Sequence, residues 1–189
     1  MAFGNDSLAL VTARTVATAG LGLAFGLTAS IPLWTFPALY DPAVRSTEIQ
    51  RFRSWSKLYD QGRKTMMILV PTLSSILIAT AYFVRPSPLY LPSNFVSRHR
   101  QAFLLGAAAL TFSVGGWTGI FMEKLNWSLK GTLKKIDADE DAAGTIAAYA
   151  QQAKDADKAI ATTWAKQHAV RIALFAGAFS LALSELAFA

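Results

Sequence analysis

The sequence predicts an all-α integral membrane protein, a bundle of four transmembrane helices with helical cytosolic extensions between spans one and two and between spans three and four. Three observations carry this prediction. Hydrophobic residues make up 53% of the 189 positions and charged residues only 16%, against about 25% charged in an ordinary water-exposed domain. The mean hydropathy is +0.33. The charges are also clustered, and the runs between clusters are long enough to cross a bilayer, which takes ~20 apolar residues in a helix. No Pro/Gly-rich linker divides the chain, so a single membrane domain over residues 1–189 is expected.

The first span is placed at about 15–40, because no charged residue occurs from Thr15 to Tyr40. A signal peptide would begin with basic residues, whereas the chain starts Met-Ala-Phe-Gly-Asn-Asp and the apolar run exceeds a normal h-region. Gly22 and Gly26 are spaced for close helix packing. Pro32 and Pro37 are expected to break or kink the helix, and Trp34 and Tyr40 to lie at headgroup level. Asp41 to Lys64 is polar and amphipathic, with Phe52, Trp55 and Tyr59 at i, i+3 and i+7; on pattern alone it reads as a helix lying on the membrane surface.

The second span, 65–84, is uncharged, with Pro71 near its start. Arg85-Pro-Ser-Pro-Leu-Tyr-Leu-Pro is too proline-dense for a helix. The third span, 101–122, runs without a breaker into a stretch where Leu125, Leu129 and Leu133 recur every four residues, so the helix is expected to project beyond the membrane. Asp137 to Gly144 reads as an acidic solvent-exposed turn, and alanine-rich Thr145 to Lys166 as helix. The fourth span, 169–189, contains only 13 uncharged residues between Arg171 and Glu185. It reaches across only if Arg171 snorkels at one end and Glu185 sits at the opposite interface.

The connections after spans one and three hold 13 of the 18 Lys and Arg. The positive-inside rule puts those loops in the cytosol and both termini outside or in the lumen. The net charge of +6 therefore points to lipid headgroups as partners, not to nucleic acid. With no cysteine, disulfides, thiolate metal sites and a cysteine nucleophile are excluded. A Gly-rich phosphate loop, a His-Glu-x-x-His pair and a nucleophile elbow are all missing.

What chemistry the sequence offers gathers where helices meet the cytosolic side. Trp55, Tyr59, Asp60 and Arg63 precede span two, Asn126 follows span three, and Trp164, His168 and Arg171 precede span four. Trp164, His168 and Arg171 fall at i, i+4 and i+7, one helical face. A polar face entering an apolar helix is expensive and calls for a role. His99, flanked by Arg98 and Arg100, reads as exposed loop. Asn126-Trp-Ser is a glycosylation sequon on the expected cytosolic side; Asn5-Asp-Ser is another on the expected lumenal side.

These stretches resemble the anthrone-oxygenase-like family of small membrane proteins. The resemblance rests on the Gly-rich first span ending in Ile31-Pro32 and Pro37, on Trp55-Ser-Lys-Leu-Tyr59-Asp-Gln-Gly62, on Met122-Glu-Lys-Leu-Asn126, and on Trp164-x-x-x-His168-x-x-Arg171. Family members often carry Asn where this chain has His168, and Pro-Thr-Asn where it has Lys124-Leu125-Asn126. The resemblance implies oxidation of an anthrone to an anthraquinone by molecular oxygen, with no metal or flavin. The substrate is an apolar aromatic small molecule, and its acidic CH2 yields an electron-rich anion that reduces oxygen itself. The protein then supplies a base, an oxyanion stabiliser and a dry aromatic slot.

On this reading His168 is the base, its unperturbed pKa near ~6.5 suiting proton transfer at neutral pH. Arg171, with Tyr59 or Asn126, stabilises the enolate oxygen; Trp55 and Trp164 stack on the substrate, and Asp60 and Arg63 complete its binding. Two other classes stay open. A small subunit that scaffolds a larger membrane complex, or a homo-oligomer, would use the same small-residue stripes. Haem or a metal held through His168 is the remaining possibility. The lumenal N-terminus and sequon fit an endoplasmic reticulum protein.

Overall fold

A computed structural model describes residues 6–85, 95–143 and 149–188, with residues 139–143 described by backbone alone. The described residues are helical in α1 (Leu8–Ser30), α2 (Phe36–Tyr40), α3 (Glu48–Phe83), α4 (Phe95–Arg98), α5 (Arg100–Trp117), α6 (Glu123–Ala143), α7 (Ala150–Ala159) and α8 (Ala165–Phe188). Single π-helical turns, Ile31–Thr35, Thr118–Met122 and Ile160–Trp164, join α1 to α2, α5 to α6 and α7 to α8. Four continuous helical rods result, Leu8–Tyr40, Glu48–Phe83, Arg100–Ala138 and Ala150–Phe188, each long and apolar enough to cross a membrane. The chain is a multi-pass membrane protein of the all-helical class that its sequence predicts.

The packing resolves into two compact units, one of residues 1–28, 66–116 and 171–189, the other of residues 29–65 and 117–170. The first takes most of the uncharged sequence. Its core is small and aliphatic: Ala17, Leu21 and Ala24 of α1, Leu73 and Leu77 of α3, Leu104 and Ala107 of α5, and Phe175, Ala178 and Ala182 of α8. Alanine and glycine let these helices approach closely. A Cβ on Gly22 would lie 3.1 Å from the Phe179 ring, whereas one on Gly26 would meet nothing. Only the first of the two spaced glycines is a packing position.

The first unit also buries four charges. Glu185 is fully buried and accepts from Arg14 Nη1 at 2.7 Å and Arg100 Nε at 2.9 Å. Asp6 lies 2.9 Å from Arg14 Nη1 and bonds the other face of Arg100. Sequence pattern places Glu185 at the membrane interface; within the protein it joins a cluster of two guanidiniums and two carboxylates. The reason is electrostatic, since a lone carboxylate in apolar surroundings is far costlier than a paired one. Arg171 is likewise buried, at 9% exposure.

The second unit has a heavier, aromatic core: Phe52 and Trp55 of α3, Met122 at the end of the turn before α6, Leu129, Leu133 and Ile136 along α6, and Ala153, Ala156, Ile160 and Trp164 along α7 and the turn after it. Residues 48–64 thus form no separate surface helix. They are the first half of the 36-residue α3, and Phe52 and Trp55 bury against protein. The leucine stripe is observed as helix, with Leu129 and Leu133 buried. Helix α6 persists to Ala143, so the acidic run is helical where a turn was expected; with no proline and plentiful alanine, nothing in it stops a helix.

The prolines do not break the first rod. Pro32 lies inside a π-turn and Pro37 in the first turn of α2, and the rod continues past both. A π-turn absorbs the missing N–H by widening the hydrogen-bond ladder. Tyr40 also has a partner within the protein, its hydroxyl donating to Asp157 Oδ1 at 2.8 Å. The proline-rich link after Arg85, Gly144, Thr145 to Ala148 and Asn5 fall outside the described residues. His99 is an exposed residue between α4 and α5, as expected.

Candidate functional site

Seven of the eight residues singled out from sequence belong to the second unit, and five of them gather around one indole. Trp164 ends the π-turn before α8 and is 3% exposed. One turn later His168 stacks on it, with centroids 4.6 Å apart and planes 14° from parallel. Four-residue spacing along a helix puts these rings one above the other. Trp55, from α3, meets Trp164 edge-on at 6.0 Å and 89°, and is itself stacked on Tyr59 at 5.5 Å. Phe36, which sequence reading did not single out, closes a further side at 5.7 Å.

Asn126, on α6, is 1% exposed, and its Oδ1 accepts from Trp164 Nε1 at 3.1 Å. The indole N–H is a donor only, so the amide must turn its oxygen toward Trp164 and its NH2 away. Trp55 Nε1 is a buried donor with no hydrogen-bond partner among the described residues, and Asn126 Nδ2 makes none of full geometry, though its amide interacts with the Tyr59 hydroxyl. Buried polar atoms are nearly always paired, so two such donors within one aromatic cluster need a reason.

The remaining candidates lie further out. Asp60, about half exposed, holds Lys130 Nζ at 2.5 Å, and that ammonium also donates to Ser56. Arg63 is 3.9 Å from Glu123 and lies over the exposed Trp127 ring. Half-exposed pairs of this kind contribute about 0–1 kcal/mol, so both read as surface fastenings. Arg171 belongs to the first unit.

Sequence reading also missed Asp157, the best-connected carboxylate of the second unit. Arg51 donates to it from Nε at 3.1 Å and from Nη2 at 2.7 Å, while the same guanidinium covers the Tyr40 ring at 4.9 Å. Tyr40 in turn packs edge-on against Phe36 at 6.1 Å. The clasp therefore fixes the ring that closes Trp164. A signal was present: Asp157, Ile160, Trp164 and His168 follow one another at spacings of three, four and four, a single stripe.

Taken together, the cluster offers an imidazole held flat against an indole, a wall of aromatic faces, and two N–H groups awaiting acceptors. Among the described residues no group of three His, Cys, Asp or Glu could hold a metal ion. A protein-family model described as anthrone oxygenase matches residues 55–181, roughly two thirds of the chain. The match spans Trp55, Tyr59, Asn126, Trp164 and His168 and leaves out Phe36 and Tyr40. No curated protein and no solved structure matches the chain.

Proposed function

The chain belongs to the anthrone oxygenase family, and from that premise we propose that it is a membrane-embedded, cofactor-independent oxygenase of anthrone-type aromatic substrates. The observation that supports this reading is the buried Trp164–His168 stack within an aromatic cluster. Cofactor-free oxygenation needs a base near an aromatic slot and little else from the protein.

In this mechanism His168 takes a proton from the substrate CH2, whose carbanion is delocalised onto the ring oxygen. The imidazolium so formed lies over the Trp164 face, where the negative quadrupole of the ring stabilises it by about 0.5–2 kcal/mol. The anion passes one electron to O2, and the resulting radical pair joins in a C–O bond. Proton uptake gives a hydroperoxide. Loss of the second C–H proton with cleavage of the O–O bond releases water and leaves the quinone carbonyl. The balance is CH2 + O2 → C=O + H2O, with no other reductant.

Arg171 stays a candidate for the oxyanion on its sequence spacing alone. His168→Ala, purified and shown to be helical, is expected to lower anthrone oxidation by about 100-fold or more, the usual share of a positioned base. Oxidation at the wild-type rate would sink the mechanism. The proposed orientation, cytosolic for the two basic loops and lumenal for both termini, rests on the 13 basic residues of those loops. Single cysteines at Lys57 and His99 of this cysteine-free chain should label from opposite sides of a sealed vesicle; labelling from one side refutes it.

A further inference from the structure

Trp55 and Asn126 occupy the same aromatic cluster yet differ from every ring around them. Each presents a buried N–H that makes no hydrogen bond of full geometry among the described residues, Asn126 meeting only the Tyr59 hydroxyl short of that geometry. Trp55 is 1% exposed and Asn126 1% exposed, so water does not satisfy these donors from outside. The Asn126 amide is not free to turn and find an acceptor, because Trp164 Nε1 holds its oxygen at 3.1 Å. Trp55 is also fixed, stacked on Tyr59 with planes 12° apart and packed against Phe52. The two donors are thus pre-oriented and incompletely satisfied, the condition in which an incoming acceptor gains most.

We propose that Asn126 Nδ2 and Trp55 Nε1 are the oxygen-recognition pair of the site, selecting a fused-ring substrate that carries a carbonyl or phenolate oxygen, with Trp164 as the positioning residue that aims the Asn126 amide. The proposal rests on the oxygenase reading above and deepens it. It gives Trp55 a different task from the stacking its sequence position suggests. Its ring faces Tyr59, and its distinctive contribution is the N–H. Charge that develops on the substrate oxygen as the CH2 proton departs strengthens both hydrogen bonds, so the pair serves recognition and anion stabilisation together.

The test compares two rigid probes in lipid nanodiscs, with binding to empty discs subtracted: 1,8-dihydroxyanthraquinone, which carries acceptor oxygens, and anthracene, which has the same ring frame and none. Wild-type protein is expected to prefer the oxygenated probe by at least about tenfold. Trp55→Phe, Asn126→Leu and Trp164→Phe should each shrink that preference to about threefold or less while anthracene affinity stays within twofold, which also reports that the slot is intact. A variant that loses anthracene binding has lost the slot itself, and the other two variants then decide. Preference unchanged in all folded variants overturns the oxygen-recognition pair and leaves the oxygenase reading standing. Wild-type protein that binds neither probe and oxidises no anthrone overturns both.

Discussion

The clasp around Asp157 makes a prediction whose size follows from its geometry. Asp157 accepts from Tyr40 Oη and from two nitrogens of Arg51. The carboxylate is 11% exposed and the guanidinium 17%, so solvent screens neither fully. The nearest other carboxylate to Arg51, Glu48, is 3.9 Å away and half exposed. Asp157→Leu therefore strands a largely buried cation and a phenol hydroxyl, at a loss of about 3 kcal/mol, the lower end for breaking a buried pair. For a chain of this size that lowers Tm by about 6–12 °C. Arg51→Met/Asp157→Leu removes both charges and should recover about 2 kcal/mol of the combined single-variant losses. Thermal unfolding in detergent, followed by helical circular dichroism, measures all three proteins. Strictly additive losses would refute the clasp as a coupled unit and with it the argument that it fixes Phe36 against Trp164.

The buried cluster of the first unit predicts a similar asymmetry. Glu185→Leu leaves Arg14 and Arg100 sharing one carboxylate and should cost about 3–5 kcal/mol, whereas Arg14→Met/Glu185→Leu keeps the Arg100–Asp6 pair neutral and should restore most of it; equal melting of the two would contradict the pairing. Gly22→Leu should destabilise by about 1–3 kcal/mol through overpacking onto Phe179. Gly26→Ala, with open space around it, should be neutral or stabilise by up to about 1 kcal/mol; the reverse order in melting temperature would mean the two glycines have been assigned wrongly.

The sequence made the four rods legible because charge-free length is a direct physical requirement of the bilayer. It also exposed the Trp164–His168 stripe, since a four-residue spacing stacks side chains without help from tertiary structure. What it could not disclose depends on partners distant in the chain. Asp157 looks like one more acid on an exposed helix until Arg51, 106 residues earlier, is set against it. Glu185 looks like an end marker because its partners are Arg14 and Arg100, neither of which is close in sequence. The prolines mislead for a different reason. A helix-breaking rule assumes an α ladder, and a π-turn has room for the ring. The same turns shift the phase of the apolar stripe, which is why the aromatic core of the second unit has no single clean period.

The ion cluster bears on how the chain is made. Arg14 precedes Glu185 by 171 residues, so α1 is made while one of the two counter-charges of its cation does not yet exist. Until the last helix emerges, Asp6 alone offsets Arg14. The pairing of Arg14 is therefore provisional until α8, which carries Glu185, has been made. A product truncated just before Glu185 would keep nearly all of its apolar residues and still present quality control with two arginines sharing the one carboxylate of Asp6.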